Sequence, residues 1–136
     1  MQVQQVADNL GVTPDTVRYY TRVGLLHPLK NTFNGYHEYD QYDRHRLRFI
    51  LSARHLGFSV ADIQQILEHA DKGESPCHLV RELIESRLEE VNRRFDDMAR
   101  LKKRMETALD AWRDEPDRAP SGEMICYLIE NFTEGS

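Results

Sequence analysis

Two cysteines are the side chains of this sequence best suited to bind or react. Cys77 follows Ser75-Pro76, and a serine before a proline is typical of the start of a helix. The positive end of the helix dipole at that position favours the thiolate form. Thiolates bind soft or borderline cations such as Zn, Cu(I), Cd, Hg and Pb. Cys126 is the only other cysteine, which excludes a disulfide scaffold and an internal four-thiolate iron–sulfur cluster.

Arginine and tyrosine side chains gather between residues 14 and 23, where they could contact DNA. In a helix over this range, Arg18, Tyr19 and Arg22 share one face with Asp15. An arginine on an exposed helix can fork onto a guanine or a phosphate in a major groove. The alternative is that these long side chains only cover the core with their stems.

The rest of the sequence contains no recognisable catalytic set. Neither a nucleophile elbow nor a phosphate-binding loop is present, so we predict that the chain is not an enzyme. The 136 residues carry a formal net charge of −5, yet residues 1–60 hold seven Lys and Arg against five Asp and Glu. This local excess of positive charge favours an N-terminal head that approaches an anion.

Hydropathy predicts a cytoplasmic protein that does not bind membranes. The sequence has no run of about 18 apolar residues that could cross a bilayer. Its first residues, MQVQQVADNLGV, lack the basic and then apolar pattern of a signal peptide. With 40% apolar and 30% charged residues, we expect a mainly α-helical fold with much solvated surface.

Signals for the starts and ends of helices occur throughout residues 1–72, which we interpret as a DNA-binding head. A first helix ends at Gly11, and Thr13-Pro14 begins a second helix that runs to about Val23. Two short helices joined by a tight turn with a glycine are typical of a helix-turn-helix. Asp40 and Ser59 are then expected to cap a third and a fourth helix.

A hairpin is predicted between the second and third helices. Asn34-Gly35 supplies two residues that tolerate positive φ, within the stretch from residue 29 to residue 39. The hairpin would present Lys30, Tyr36 and His37 at a projecting edge, as a wing that follows the DNA backbone or the minor groove.

A long helix is predicted from residue 76 to residue 113, within a dimerisation region at 75–113. Its apolar residues recur every seven positions beside dense charge, which favours a coiled coil in a homodimer. Arg87 and Arg94 interrupt this seam. The positions that repeat every seven residues are Ile84, Val91, Met98, Met105 and Trp112.

The final region, 114–136, is predicted to hold a polar loop and a helix over residues 122–132 with Ile125, Leu128, Ile129 and Phe132 on one face.

The first 70 residues resemble the N-terminal part of MerR-family transcriptional regulators. The matching segments are VADNLGVTPDTVRYYTRVGLL, NGYHEYD and RLRFILSARHLGFSVADIQQIL, and the long helix and short tail extend the likeness over the whole chain. The resemblance implies a winged helix-turn-helix head, an antiparallel coiled coil between two protomers and a short C-terminal loop and helix.

The resemblance also implies a mechanism and a set of DNA contacts. Such regulators bind a palindromic promoter with an overlong spacer and, with effector bound, distort it so that RNA polymerase engages both elements. His37 departs from the arginine that usually follows the wing tyrosine. Together with the residues expected from the helical face and the hairpin, the candidate DNA-binding residues are Thr16, Arg18, Tyr19, Arg22, Lys30, Tyr36, His37, Tyr39 and Arg54.

The short tail resembles that of the metal-sensing branch of the family. There, a cysteine at the start of the long helix lies near the partner's C-terminal loop, and Cys77 and Cys126 match two of the expected thiols. Trp112 stands where a third cysteine is usual. Two thiolates suffice for linear Hg(II) or Cu(I), whereas tetrahedral zinc would need His78 and an oxygen donor.

Three roles for the cysteines therefore remain open. The first is a thiophilic metal site, and the second is a thiol switch that responds to oxidants or electrophiles. In the third, neither cysteine senses anything, because a free cysteine often packs as a small hydrophobe. The protein would then be a DNA-architectural module.

Overall fold

The computed structural model describes residues 1–133 of the chain. They fold into helices and one small antiparallel sheet, divided between two compact units, Met1–Arg87 and Leu88–Ser136. This mainly helical architecture confirms the predicted fold class. The elements in chain order are α1 (Val3–Leu10), α2 (Pro14–Arg22), β1 (Leu29–Lys30), β2 (His37–Glu38), α3 (Gln41–His55), α4 (Val60–Asp71), α5 (Cys77–Trp112) and α6 (Tyr127–Glu130).

Helices α1 and α2 form the predicted helix-turn-helix. Gly11 ends α1 with a left-handed φ of 69°, a conformation that side chains with a Cβ rarely adopt. The Thr13 side chain accepts the Thr16 backbone N–H at 3.2 Å, and Pro14 occupies the first helical position of α2. These local signals fix where α2 begins and therefore which of its side chains point outward.

The wing is a two-stranded sheet in which Leu29 pairs with Glu38 and Lys30 pairs with His37. Its connection differs from the predicted two-residue turn, because Gly35 takes a positive φ but Asn34 does not. Instead, the loop from Asn31 to Tyr36 is closed by its own hydrogen bonds, including one from the Asn31 N–H to the Tyr36 carbonyl at 2.7 Å.

Reciprocal capping boxes begin both α3 and α4, where the sequence predicts Asp40 and Ser59 as the capping residues. Asp40 and Asp43 cap the first turn of α3, and Ser59 and Asp62 do the same for α4. Each box satisfies amide donors that have no partner inside the helix. The inward faces of these helices complete the core of the first unit, which includes the fully buried Leu47, Ile50 and Ile63.

The first turns of α5 belong to the first unit. Arg87 donates from Nε to Asp62 Oδ2 at 2.7 Å and from Nη2 to Asp62 Oδ1 at 3.2 Å. Burial by itself would raise the pKa of Asp62, but the hydrogen bonds from Arg87 and from Ser59 outweigh it and hold this pKa below its usual value. Arg87, which looks like a break in the coiled-coil seam, thus ties α5 to α4.

The second unit contains the rest of α5, the polar loop after it and α6. Most apolar seam residues on this part of α5 are exposed, among them Val91, Phe95 and Met98 at 57%, 73% and 65%. In the described residues of this unit, only Ala108 and Tyr127 are buried hydrophobics.

The predicted helix over residues 122–132 is wrong in extent. Helix α6 covers only Tyr127–Glu130 because Cys126 before it is extended, with φ −143° and ψ 114°. The Glu130 side chain accepts the N–H groups of Ile125 and Cys126 at 3.0 and 2.7 Å. Ile125 and Ile129 are consequently exposed, and Phe132 instead packs edge-to-face on Trp112 at 5.8 Å.

Candidate nucleic-acid interface and thiol positions

Helix α2 presents a charged and aromatic face outward while Val17 and Tyr20 face the core. Arg18 donates to Asp15 Oδ1 at 2.9 Å, and both side chains are largely exposed. The Arg22 guanidinium lies over the Tyr19 ring, 5.6 Å from its centroid. These intrahelical contacts hold both arginines extended along the surface without burying them, so their donors remain accessible to a polyanion.

A groove separates this face of α2 from the wing. Its volume is about 490 Å³. Arg18 and Arg22 line one wall, and Tyr36 and His37 line the other. Lys30 lies beside His37 on the paired strand and is exposed. Of the residues predicted on the helix and the hairpin, Arg18, Arg22, Tyr36 and His37 therefore come together around one concave surface that carries two arginines.

Tyr39 differs from the other predicted contacts because it is buried. Its side chain is only 1% exposed, and its hydroxyl is hydrogen-bonded to Thr21 Oγ1 at 2.7 Å. Tyr39 thus anchors the wing to α2 beside the groove that it helps to line, and its contact with DNA stays a prediction. Thr21 in turn donates to the Val17 carbonyl at 3.0 Å, which extends this anchor into the helix.

The other two predicted DNA contacts lie at helix ends. Thr16 is half-buried in the first turn of α2, with its hydroxyl 2.9 Å from that of Thr13. Arg54, near the end of α3, is exposed but donates to the Phe58 carbonyl at 2.8 Å. That hydrogen bond stabilises the corner between α3 and α4 and leaves the other donors of the guanidinium for a further partner.

Arg46 is a positioning residue that the sequence interpretation missed. It is 7% exposed, donates to the Leu25 carbonyl just after α2 at 2.6 Å, and forms a bidentate pair with Asp71 at 2.8 and 3.2 Å. Although burial opposes its charge, the hydrogen bond with Asp71 raises the pKa of Arg46, and the same bond lowers the pKa of Asp71. Arg46 lies four residues before Ile50 and therefore on the apolar face of α3. That position is the signal in the sequence that could have revealed its burial.

The two thiols occupy helix starts in different units. Cys77 is free and exposed at the start of α5, and Cys126 is free and half-buried before α6. His78 Nε2 lies 2.9 Å from Glu82 Oε1 on the same helix. Among residues 1–133, no three His, Cys, Asp or Glu side chains come together as a metal site. The described part of a single chain therefore offers two thiols but no four-donor cage.

Comparison with known families matches both halves of the head and most of α5. A model described as MerR HTH family regulatory protein covers residues 1–70, and one described as MerR, DNA binding covers residues 44–119. This chain belongs to the MerR family. MerR proteins are DNA-binding transcription regulators, so the predictions of family, of DNA binding and of a non-enzymatic role are confirmed.

Curated MerR relatives align over nearly their whole length. The mercuric resistance operon regulatory protein of Bacillus cereus is 30% identical, with 96% of each chain covered. The HTH-type transcriptional regulator ZntR of Escherichia coli is 31% identical, with 99% of this chain and 94% of the relative covered.

Solved MerR structures share the fold. A Ralstonia metallidurans regulator in complex with lead(II) has a TM-score of 0.73 and 22% identity, covering 97% of this chain and 99% of the other. The EcmrR–DNA complex in EcmrR-RPo has a TM-score of 0.68 and 28% identity, covering 85% of this chain and 40% of that one.

None of the helices in residues 1–133 combines the length and apolar character that a membrane crossing requires.

Proposed function

We propose that this MerR-family chain is a homodimeric regulator that distorts a promoter in response to a thiophilic effector. The observation that carries the proposal is the groove between α2 and the wing, which gathers Arg18, Arg22 and His37 on one accessible surface. In this arrangement α2 enters the major groove and its arginines read guanine or phosphate. Lys30, Tyr36 and Arg54 contact the backbone and set the register.

The dimer is supported by the apolar stripe on the second unit's part of α5. Contiguous exposed apolar side chains of this kind mark an interaction surface. Their seven-residue spacing fits a second copy of the same helix. An antiparallel coiled coil through this stripe would hold two heads at a fixed separation on a palindromic site.

Promoter distortion follows from a fixed separation between two heads. If the spacer is longer than RNA polymerase accepts, bending and untwisting it brings both promoter elements into register, at a cost of a few kcal/mol in DNA deformation. The head contacts offset that cost. The related EcmrR–DNA complex, solved within EcmrR-RPo, supports RNA polymerase as the partner that engages the distorted DNA.

The proposed effector is a metal ion that prefers thiolate ligands. The donor set of the chain is two thiols, Cys77 and Cys126, and it fits two-coordinate Hg(II) or Cu(I). Zinc, cadmium or lead would need further donors, of which His78 is the nearest in sequence to Cys77. Relatives whose names or structures include mercuric resistance and lead(II) support this class of effector.

A thiol switch is the second candidate, since both cysteines are free and Cys77 is exposed. Accessible thiols can react with oxidants or electrophiles when the thiolate form is populated. Such a response would use the same residues but need no metal.

The test is footprinting and transcription on the chain's own promoter region, with reduced protein and a panel of Hg(II), Cu(I), Zn, Cd and Pb. We expect one ion to change the footprint and to give a near-ultraviolet thiolate-to-metal band that Cys77→Ser and Cys126→Ser abolish. His78→Gln is the matched control for a linear site. A response to peroxide but to no ion would favour the thiol switch, and DNA binding without either response would favour an architectural module.

A further inference from the structure

Phe33, at the tip of the wing, exposes almost its entire aromatic ring. The side chain is 99% exposed, and the nearby Leu29 and Tyr36 are 79% and 63% exposed. Leaving a phenylalanine in water forgoes the burial free energy that drives folding and association. A group of apolar side chains exposed together indicates a surface that another molecule covers.

The loop that carries Phe33 is held in one conformation by hydrogen bonds. Asn31 Oδ1 accepts the N–H groups of Phe33 and Asn34 at 2.8 and 3.3 Å. The Asn31 carbonyl accepts the Gly35 N–H at 2.9 Å, and Asn34 Oδ1 accepts the Tyr36 N–H at 2.9 Å. A loop backbone ordered before binding loses little conformational entropy on contact, so the ring is carried at a defined place on the wing.

Charge around the loop identifies the kind of partner. Residues 28–37 contain Lys30 and His37 but no Asp or Glu, and the next residue, Glu38, lies 3.6 Å from the N-terminal ammonium of Met1. The adjoining groove is walled by Arg18 and Arg22. A partner that satisfies both features has a polyanionic outside and an apolar inside. The minor groove of DNA, with phosphates at its rim and deoxyribose and base edges within, has this combination.

We infer that Phe33 packs into the minor groove beside the segment that α2 reads. With the phosphate backbone lying in the groove between α2 and β2, the tip of the wing extends past that backbone. The ring then packs against sugars and partly unstacks a base step, as apolar wedges in minor-groove proteins do. This inference rests on the proposed DNA-binding function and adds an apolar contact that supports distortion of the promoter.

The test measures fluorescence anisotropy of the full-length chain on a duplex that the wild type selects from a random pool, over a range of salt concentrations. We expect Phe33→Ser to weaken binding about tenfold without changing the slope of log K against log salt, because an apolar contact releases no counterions. Lys30→Ala should instead lower the slope by about one. Phe33→Leu keeps an apolar wedge and should stay within about threefold of wild type.

A second readout places 2-aminopurine at the minor-groove steps that flank the site. Its fluorescence should rise on binding of the wild type and not of Phe33→Ser. Leu56→Ser is the matched control, since Leu56 is another exposed apolar side chain, at 65%, outside the wing. If Phe33→Ser binds DNA with wild-type affinity, the inference is overturned. This holds even if the variant loses transcription, because the ring would then contact a protein partner and not the minor groove. A wild type that selects no duplex would overturn the proposed function as well.

Discussion

The two units of this protein use apolar side chains in opposite ways. In Met1–Arg87, the apolar faces of α1 to α4 close over one another, and residues such as Val17, Leu47 and Ile50 are completely buried. In the described part of Leu88–Ser136, side chains of equal hydrophobicity stay exposed along α5. The first unit therefore buries its apolar faces within one chain, whereas the second leaves most of the apolar side chains of α5 uncovered.

Truncating the core of the first unit should have the largest effect. Ile50→Ala removes a fully buried side chain and leaves a cavity, so we expect the free energy of unfolding to fall by about 2–5 kcal/mol. Urea denaturation, monitored by circular dichroism, measures this free energy of unfolding. Phe95→Ala, at an exposed position of α5, is the control at concentrations where dimers are absent. An equal loss in both variants would contradict the contrast between the units.

Truncating the exposed stripe of the second unit should weaken association instead. Val91→Ala removes two methyl groups per copy, and their burial in a dimer is worth about 2–3 kcal/mol for the pair. We expect a correspondingly higher dimer dissociation constant by sedimentation. Glu89→Gln changes a neighbouring residue outside the apolar stripe and should leave the constant unchanged. If Val91→Ala dimerises as tightly as wild type, the stripe is not the interface.

Removing an outward arginine of α2 should weaken DNA binding without changing either fold or association. Arg18→Ala loses a contact to base or phosphate, for which we expect about 1–3 kcal/mol of operator affinity. Fluorescence anisotropy at moderate salt measures it. Arg93→Ala removes an exposed arginine of α5 and serves as the charge-matched control. Unchanged affinity in Arg18→Ala would exclude α2 as the reading helix.

The ion pair between α4 and α5 should make stability depend on pH. Because the pKa of folded Asp62 is lowered by Arg87 and Ser59 in spite of burial, its stabilisation is present above the unfolded pKa and lost as pH falls through the folded pKa. We expect wild type to lose more of its unfolding free energy than Asp62→Asn as pH falls from the unfolded pKa of an aspartate, about 3.9, through the lower folded pKa. Parallel curves of unfolding free energy against pH for the two proteins would contradict this.

The smallest expected effect concerns His37 at the wing. Arginine carries a permanent charge and a planar set of donors that suits a phosphate. We therefore expect His37→Arg to bind DNA more tightly than wild type by about 0.5 kcal/mol. Fluorescence anisotropy at moderate salt measures the difference. Unchanged affinity in His37→Arg would remove His37 from the interface.

Much of the head could be predicted from sequence because its signals are local. Thr13-Pro14, Asp40 and Ser59 cap helices through partners three residues away, and these spacings are visible in the chain itself. The MerR resemblance followed from the same segments. The outward face of α2 could also be predicted, since helical periodicity alone separates Arg18 and Arg22 from Val17.

Residues with distant partners could not be placed in this way. Tyr39 looks like a second exposed wing tyrosine, yet its hydroxyl meets Thr21, 18 residues away. Arg46 and Arg87 each find a carboxylate 25 residues away. At the C-terminus, periodicity favoured a longer helix, whereas the Glu130 side chain and the packing of Tyr127 limit α6 to four residues.

The sequence by itself determined the helices of the head, their caps, the family and the outward face of α2, because each depends on residues within a turn or two of one another. Only the tertiary structure decided which polar side chains are buried, how the wing is anchored and where Phe33 projects. Those outcomes depend on which distant groups meet once the core has closed, and a pairing over 18 or 25 residues leaves no periodic trace in the chain.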